Sequence, residues 1–182
     1  MSLLRARQIV LVGFMGAGKT TVGMALANRL AWAFVDLDEE IVRRSGRSID
    51  AWFTEAGESA FRAVEAEIAD DVLRTQDVVV ASGGGWAAQA GRLAALTGDR
   101  VSVWLDVDPE EALRRVEDDA SIRPLLVGDG ALQRAREMVN QRRSAYGLAE
   151  VRVDTNGHSV EDVTSRVLEI LETREREQKP NE

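Results

Sequence analysis

Cysteine is absent from the 182 residues, and histidine occurs once, as His158. Without thiols the chain forms no disulfide framework, thiolate nucleophile or cysteine-ligated zinc site. A single imidazole leaves no partner for a histidine-built metal site and argues against serine–histidine catalysis. Long apolar runs are missing too: stretches such as Ile9–Val12 and Val78–Ala81 are far below the roughly 20 residues of a membrane span. Met1–Arg7 has no apolar segment of signal-peptide type, which leads us to expect a cytoplasmic protein. Basic charge is in deficit, 23 Lys and Arg against 31 Asp and Glu, for a net charge of -8. That balance argues against nucleic acid or an anionic membrane as a general partner, while leaving room for a local basic site. Chemistry must therefore run on carboxylates, guanidinium and ammonium groups, hydroxyls, or a borrowed metal.

What is present fits one domain spanning 1–182: 45% apolar and 30% charged residues suffice for a real core. Gln8–Val12 reads as a buried strand, and Thr20–Leu30 as a helix with Val22, Ala25, Leu26 and Leu30 on its inner face. Trp32–Val35 predicts a second strand, then helical pieces over Glu39–Arg44 and Ile49–Thr54, broken at Gly46 and Gly57, and a longer helix over Glu58–Arg74. Strands follow at Asp77–Ser82, Val101–Leu105 and Val151–Asp154, and helices at Glu110–Glu117, Leu132–Ala145 and Val160–Glu172. The segment 118–130, with acids, Pro124 and glycines, predicts a mobile surface stretch, and 174–182 a frayed charged tail. Buried strands alternating with helices predict an α/β fold of three layers, a parallel sheet flanked by helices on both faces. Ligands in such folds bind beyond the carboxyl ends of the strands.

The chemistry-bearing residues fall at those ends. Residues 13–20, GFMGAGKT, fit G-x-x-x-x-G-K-[ST] between a strand and a helix, the context a phosphate-binding loop requires. Gly16, Ala17, Gly18, Lys19, Thr20 and Thr21 then cradle nucleotide phosphates through backbone N–H groups, the helix N-terminus and the Lys19 ammonium, with Thr20 toward Mg²⁺. No N-K-x-D guanine-reading motif accompanies the loop. Candidate metal-side carboxylates are Asp36, Asp38 and Asp106, each closing an apolar run; Asp106 is equally readable as a loop acid before a helix. Asp36 and Asp38, two apart in a segment read as extended, point the same way, one toward metal and the other toward a substrate hydroxyl.

With these motifs in hand, the sequence resembles the shikimate kinases, small phosphate-loop enzymes of the nucleoside-monophosphate-kinase-like fold. The resemblance runs from Val10 to about Leu171. It rests on the loop at 13–23, Asp36-Leu37-Asp38, Gly46-Arg47-Ser48-Ile49, Phe61-Arg62-Ala63-Val64-Glu65, Gly83-Gly84-Gly85, Arg123-Pro124-Leu125-Leu126, Arg142 four residues before Tyr146, and Val153-Asp154-Thr155. It implies ATP and Mg²⁺ as cofactors, transfer of the γ-phosphoryl group to the 3-hydroxyl of shikimate, and a monomer. By the same resemblance Asp36 joins Thr20 at the metal. Asp38 holds the substrate hydroxyls and takes a proton, Arg62 and Arg142 grip the carboxylate, and Gly83, Gly84 and Gly85 admit the ring. Glu65 fixes Arg62, Arg123 closes over the phosphates from a lid at 118–130, and Arg115, with Asp154 and Thr155, attends the adenine. The segment 36–75 includes the substrate-binding part.

Duller readings stand beside these. Arg62 and Glu65 also fit an i,i+3 surface pair, and Arg115 beside Arg114 a solvated helix face. Arg142 adjoins Arg143, so its register rests on the spacing to Tyr146. His158 reads as a loop residue without a role, and Trp32, Trp52 and Trp104 as packing. Two departures from the family pattern are visible: Trp86 where a small residue is usual, either narrowing the pocket or packing behind it, and Val160 where proline is common. A pocket altered by Trp86 would favour a gluconate-kinase-like specificity; a catalytically silent nucleotide-binding relative is the remaining alternative.

Overall fold

A computed structural model of the chain describes residues 6–117 and 130–177. Strands β1 (Gln8–Val12), β2 (Ala33–Asp36), β3 (Val78–Ala81), β4 (Arg100–Asp106) and β5 (Val151–Asp154) form one sheet in the order β2-β3-β1-β4-β5. Every pairing is parallel, with Gln8 opposite Val78 on one side and Arg100 on the other. The β-branched, apolar makeup of β1 and β3 suits strands covered on both faces, and all of their residues are buried. The edge strand β5 alternates buried and exposed residues, and β2 is only partly covered. Gln8, a polar residue in that buried row, is satisfied at both ends. Its Nε2 donates to the carbonyls of Leu73 (2.8 Å) and Thr75 (2.7 Å), and its Oε1 accepts from Arg100 Nε (2.7 Å).

Helices α1 (Lys19–Leu30), α2 (Leu37–Ser45), α3 (Ile49–Ala51), α4 (Gly57–Val72), α5 (Pro109–Glu117), α6 (Ala131–Tyr146) and α7 (Val160–Glu177) cover the sheet. Sequence and structure agree on every main element, and the differences have local causes. Strand β2 begins one residue late because Ala31 adopts a left-handed conformation (φ 55°) that caps α1, and Trp32 N–H still donates to Ala27 O (2.9 Å). On α1 the buried residues are Val22, Gly23, Leu26 and Ala27, so Ala25 stands off the inner face. The piece read as helix over Ile49–Thr54 widens into a π-helical turn, Trp52–Ala56, whose indole Nε1 donates to Ser45 Oγ (3.1 Å). The tail read as frayed from Arg174 is helical to Glu177, since Arg174 bonds Glu150 O (2.7 Å) and Glu150 Oε2 (3.0 Å). Most of the segment 118–130 and the end of the tail lie outside the described residues. Among the described residues no helix is long and apolar enough to cross a membrane.

Chain order reverses at β1, which lies between β3 and β4, so the crevice at the carboxyl ends opens beside the loop that follows β1. That loop is seated by Gly13, whose φ of 143° brings it so close to β4 that a side chain would fall on the carbonyl oxygen of Leu105. Replacing Gly13 with Ala should therefore destabilise the fold by about 2 kcal/mol or more. Urea unfolding measures this as a lowered midpoint at unchanged m-value, and a wild-type midpoint would contradict the close approach.

Candidate active site

Helix α1 starts without a capping side chain. Its N-cap is Gly18 in the left-handed region (φ 87°), and no acidic residue occupies its first turn. The helix N-terminus thus keeps its N–H groups and positive dipole end available to an anion. Lys19 Nζ is folded back across the loop, donating to the carbonyls of Gly13 (3.0 Å) and Phe14 (2.9 Å), which sets its charge at the mouth. A cleft of about 250 Å³ lies here, with Gly16, Gly18, Lys19, Thr20 and Thr21 on one wall and Asp36, Asp38, Ser82, Gly84 and Arg115 around the rest. Ala17 lies behind the loop, buried, and lines the adjoining cavity.

Asp36 and Asp38 reach this cleft by a route that corrects the extended-segment reading. Asp36 ends β2 and is the N-cap of α2, its Oδ1 accepting from the N–H groups of Asp38 (3.0 Å) and Glu39 (3.4 Å), so Asp38 is already helical. The acids diverge in consequence: Asp36 Oδ2 accepts from Thr20 Oγ1 (2.7 Å), whereas Asp38 turns to Gly83. Thr20 and Asp36 present a hydroxyl and a carboxylate beside the phosphate loop, and the buried hydroxyl of Ser82, which lacks a hydrogen-bond partner among the described residues, lines the same cleft. Hard oxygen donors of this kind fit Mg²⁺ held jointly with phosphate and water. No group of three or more His, Asp or Glu that could hold a metal alone occurs among the described residues. Asp106, the third candidate, lies away from the cleft and accepts from Arg152 Nε (3.0 Å).

Residues 83–85 bring the remaining groups together because they have no side chains. A side chain at Gly83 would meet Asp38 Oδ1 at 2.7 Å and Glu65 Oε1 at 2.9 Å; at Gly85 it would meet Arg62 Nη2 at 2.5 Å; at Gly84 the nearest atom is Arg142 Nη1 at 3.6 Å. Two guanidinium groups and two carboxylates thereby converge on one short stretch of backbone. Arg62 is no simple surface pair: its Nη1 donates to Glu65 Oε2 (2.7 Å), and its guanidinium lies 5.1 Å from the centre of the Phe61 ring and 5.8 Å from that of Phe53. Glu65 is buried, and burial raises its pKa while Arg62 opposes that rise; the nearby Asp38 charge pushes in the same direction as burial. Of the two adjacent arginines it is Arg142 that reaches the glycines, its Nη1 donating to Gly84 O (3.1 Å), while Arg143 lies over Trp104 and 4.0 Å from Asp106.

Arg115 is likewise not a solvated face. It donates to Gly16 O (3.2 Å), Thr155 Oγ1 (3.2 Å) and Thr155 O (2.6 Å), tying the phosphate loop to the loop after β5. Its neighbour Arg114 is the exposed one. Between these loops is a second cavity, about 440 Å³, that shares Gly18, Thr21 and Arg115 with the phosphate cleft and continues to Gly157, His158 and Val160. Its position and size suit the nucleoside part of a nucleotide. Asp154, expected at the cofactor, does not line it; its carboxylate accepts from Asn156 N–H (2.9 Å) and shapes the loop instead. His158, read as having no role, does line it.

Three contributors escaped the sequence reading. Tyr146, which entered only as a spacing mark for Arg142, donates its hydroxyl to Gly84 O (2.5 Å), and burial raises its pKa. Gln89 Nε2 donates to Glu65 Oε2 (2.6 Å), and Ser82 lines the cleft. Only Tyr146 left a signal, its i,i+4 spacing from Arg142 on α6. Trp86 is 1% exposed and lines neither the phosphate cleft nor the adjoining cavity. Arg123, expected over the phosphates, lies outside the described residues.

Comparison with known proteins agrees with this geometry. Residues 15–172 match the sequence profile of the family described as shikimate kinase. The shikimate kinase of Streptomyces coelicolor is 42% identical over 173 residues, covering 94% of this chain and 99% of the relative, and that of Geobacter metallireducens 40% over 168 residues, covering 92% and 93%. Among solved structures, shikimate kinase from Acinetobacter baumannii in complex with shikimate superposes with a TM-score of 0.85 at 34% identity, over 93% of this chain and 94% of that one. A gluconokinase from Sinorhizobium meliloti reaches a TM-score of 0.64 at 19% identity, a likeness of fold alone. The chain belongs to the shikimate kinase family.

Proposed function

We propose that this protein transfers the γ-phosphoryl group of ATP, with Mg²⁺, to the 3-hydroxyl of shikimate. The observation that carries this reading is the convergence of Asp38, Arg62 and Arg142 on Gly83–Gly85 at the edge of the phosphate cleft. A polyhydroxy ring acid needs a site that is flat, cationic at one end and basic near a hydroxyl, and these residues supply each property. Arg62 and Arg142 offer planar N–H forks to the carboxylate. Asp38 accepts the proton of the attacking hydroxyl, and the backbone of the glycines allows the ring to lie close. Lys19 and the N–H groups of the loop neutralise the phosphate oxygens as charge moves during in-line transfer. Thr20 and Asp36 would hold Mg²⁺, which when bound supplies charge neutralisation at the phosphates. Arg123 is assigned on sequence pattern the task of covering the phosphates and excluding water. The protein is read as cytoplasmic and monomeric.

An ADP-release assay with MgATP and shikimate tests the reading, and no shikimate-dependent turnover would refute it. Asp38→Asn should lower turnover by roughly 10²- to 10⁴-fold while ATP still binds, the range of a positioned base; wild-type turnover in the variant would remove Asp38 from the proton transfer. Arg142→Ala should act mainly through the Michaelis constant of the acid, and the change should vanish with a shikimate analogue that lacks the carboxylate.

Glu65 generates a stability prediction of definite sign. Its folded pKa lies above the ordinary value of 4.5, so the folded state binds this proton more tightly than the unfolded chain. Its contribution is thus most favourable below that value and declines as pH rises through the folded pKa. In urea titrations at a series of pH values, Glu65→Gln should gain on the wild type as pH rises above 4.5. A pH-independent difference would show that Glu65 titrates normally.

A further inference from the structure

A separate cavity of about 220 Å³ lies between the C-terminal end of α4, the segment after Gly85 and the start of β4. Its walls hold Asp70, Leu73, Arg74, Trp86, Arg92 and Arg100. Three guanidinium groups thus face one carboxylate in a chain whose overall charge is -8. Their donors are only partly used. Arg92 gives one N–H to Asp70 (2.8 Å); Arg100 gives two, to Gln8 Oε1 (2.7 Å) and Leu73 O (2.9 Å), neither of them a charged acceptor. The Arg74 side chain has no hydrogen bond or ion pair among the described residues. Each guanidinium carries five N–H donors, so most of those around the cavity lack protein acceptors.

Trp86 adds an independent observation. It is 1% exposed, and its indole N–H is buried without an acceptor among the described residues. A buried donor left unmade costs on the order of 1–3 kcal/mol, so the ring forms the inner wall of the cavity at an energetic cost. Trp86 is also the residue that departs from the small side chain usual at this point of the family pattern, so this wall belongs to this chain in particular. The larger cavity nearby, about 820 Å³ around Trp52, is different in kind. Its Arg44 is paired with Glu40 and Asp71 and its Arg47 with Glu55; the two cavities adjoin and share Asp70 and Arg74, but Arg92, Arg100 and Trp86 belong to the smaller one alone.

We propose that the cavity walled by Arg74, Arg92, Arg100 and Trp86 is a second anion site, separate from the phosphate loop, that takes a phosphate group. Forked N–H donors match a tetrahedral oxyanion, and the volume accommodates inorganic phosphate or a small phosphate monoester but not a nucleotide. The test uses isothermal titration calorimetry on the whole protein saturated with a non-hydrolysable ATP analogue, so that the phosphate loop is filled. Inorganic phosphate and glycerol phosphate are titrated separately at matched ionic strength into wild type, Arg74→Gln and Trp86→Phe. Arg74 is exposed and holds no other element, so its variant should fold and bind the ATP analogue as the wild type does. The expected result is single-site phosphate binding weakened at least tenfold in Arg74→Gln and retained in Trp86→Phe, which keeps an aromatic wall. Preference for the free ion or for the ester identifies which of the two the site serves. No binding to the wild type, or equal binding to wild type and Arg74→Gln, overturns the proposal.

Discussion

Three consecutive residues without side chains are the constraint on which the site depends. Asp38 comes from α2, Arg62 and Glu65 from α4, and Arg142 from α6, and the glycine backbone is where these side chains meet. The backbone at 83–85 lets them approach to distances that any Cβ at Gly83 or Gly85 would forbid. The backbone is in turn fixed from the far side, where Tyr146 and Arg142 share one acceptor, the Gly84 carbonyl. Loss of packing anywhere along these helices is therefore felt as displacement of a charged group. The triplet follows β3 directly, so the sheet itself sets the position of the acid site relative to the phosphate loop after β1.

Charge is organised on two scales. The chain as a whole carries a net charge of -8, whereas Lys19 and Arg115 line the phosphate cleft and Arg62 and Arg142 meet at the glycines beside it, where small anions are expected. Each of these cations is aimed by a specific acceptor: loop carbonyls for Lys19, Glu65 for Arg62, Gly84 O for Arg142, and Thr155 for Arg115. Long side chains held in this way lose rotamer freedom in folding, which leaves less to be lost when a ligand arrives.

The fold was legible because each interior strand is a continuous apolar run and each loop glycine stands where a strand meets a helix. The phosphate loop was legible for the same reason, since its pattern is contiguous. The acid site was readable only through several separated motifs, since nothing local in Phe61–Glu65 or around Arg142 says that α4 and α6 converge on Gly83–Gly85. The orientation of Asp36 and Asp38 was misjudged because an N-cap and a strand end look alike in sequence: both are an acid after an apolar run. Gln89 and Ser82 left no sequence signal at all. Their parts arise from a partner 24 residues away in one case and from a buried hydroxyl in the other. Trp86 was ambiguous because bulk beside a pocket predicts its presence near the site, not the side of the backbone to which the ring turns.

Asp36 joins two tasks that are usually separate. One carboxylate oxygen closes the first turn of α2 and the other meets Thr20 at the phosphate cleft. Formation of that helix therefore orients the Asp36 carboxylate at the cleft, and its orientational entropy is surrendered when the chain folds. A ligand arriving at the cleft therefore meets a carboxylate whose orientation is already set by the helix it caps, and little rotamer freedom is left there to be lost on binding.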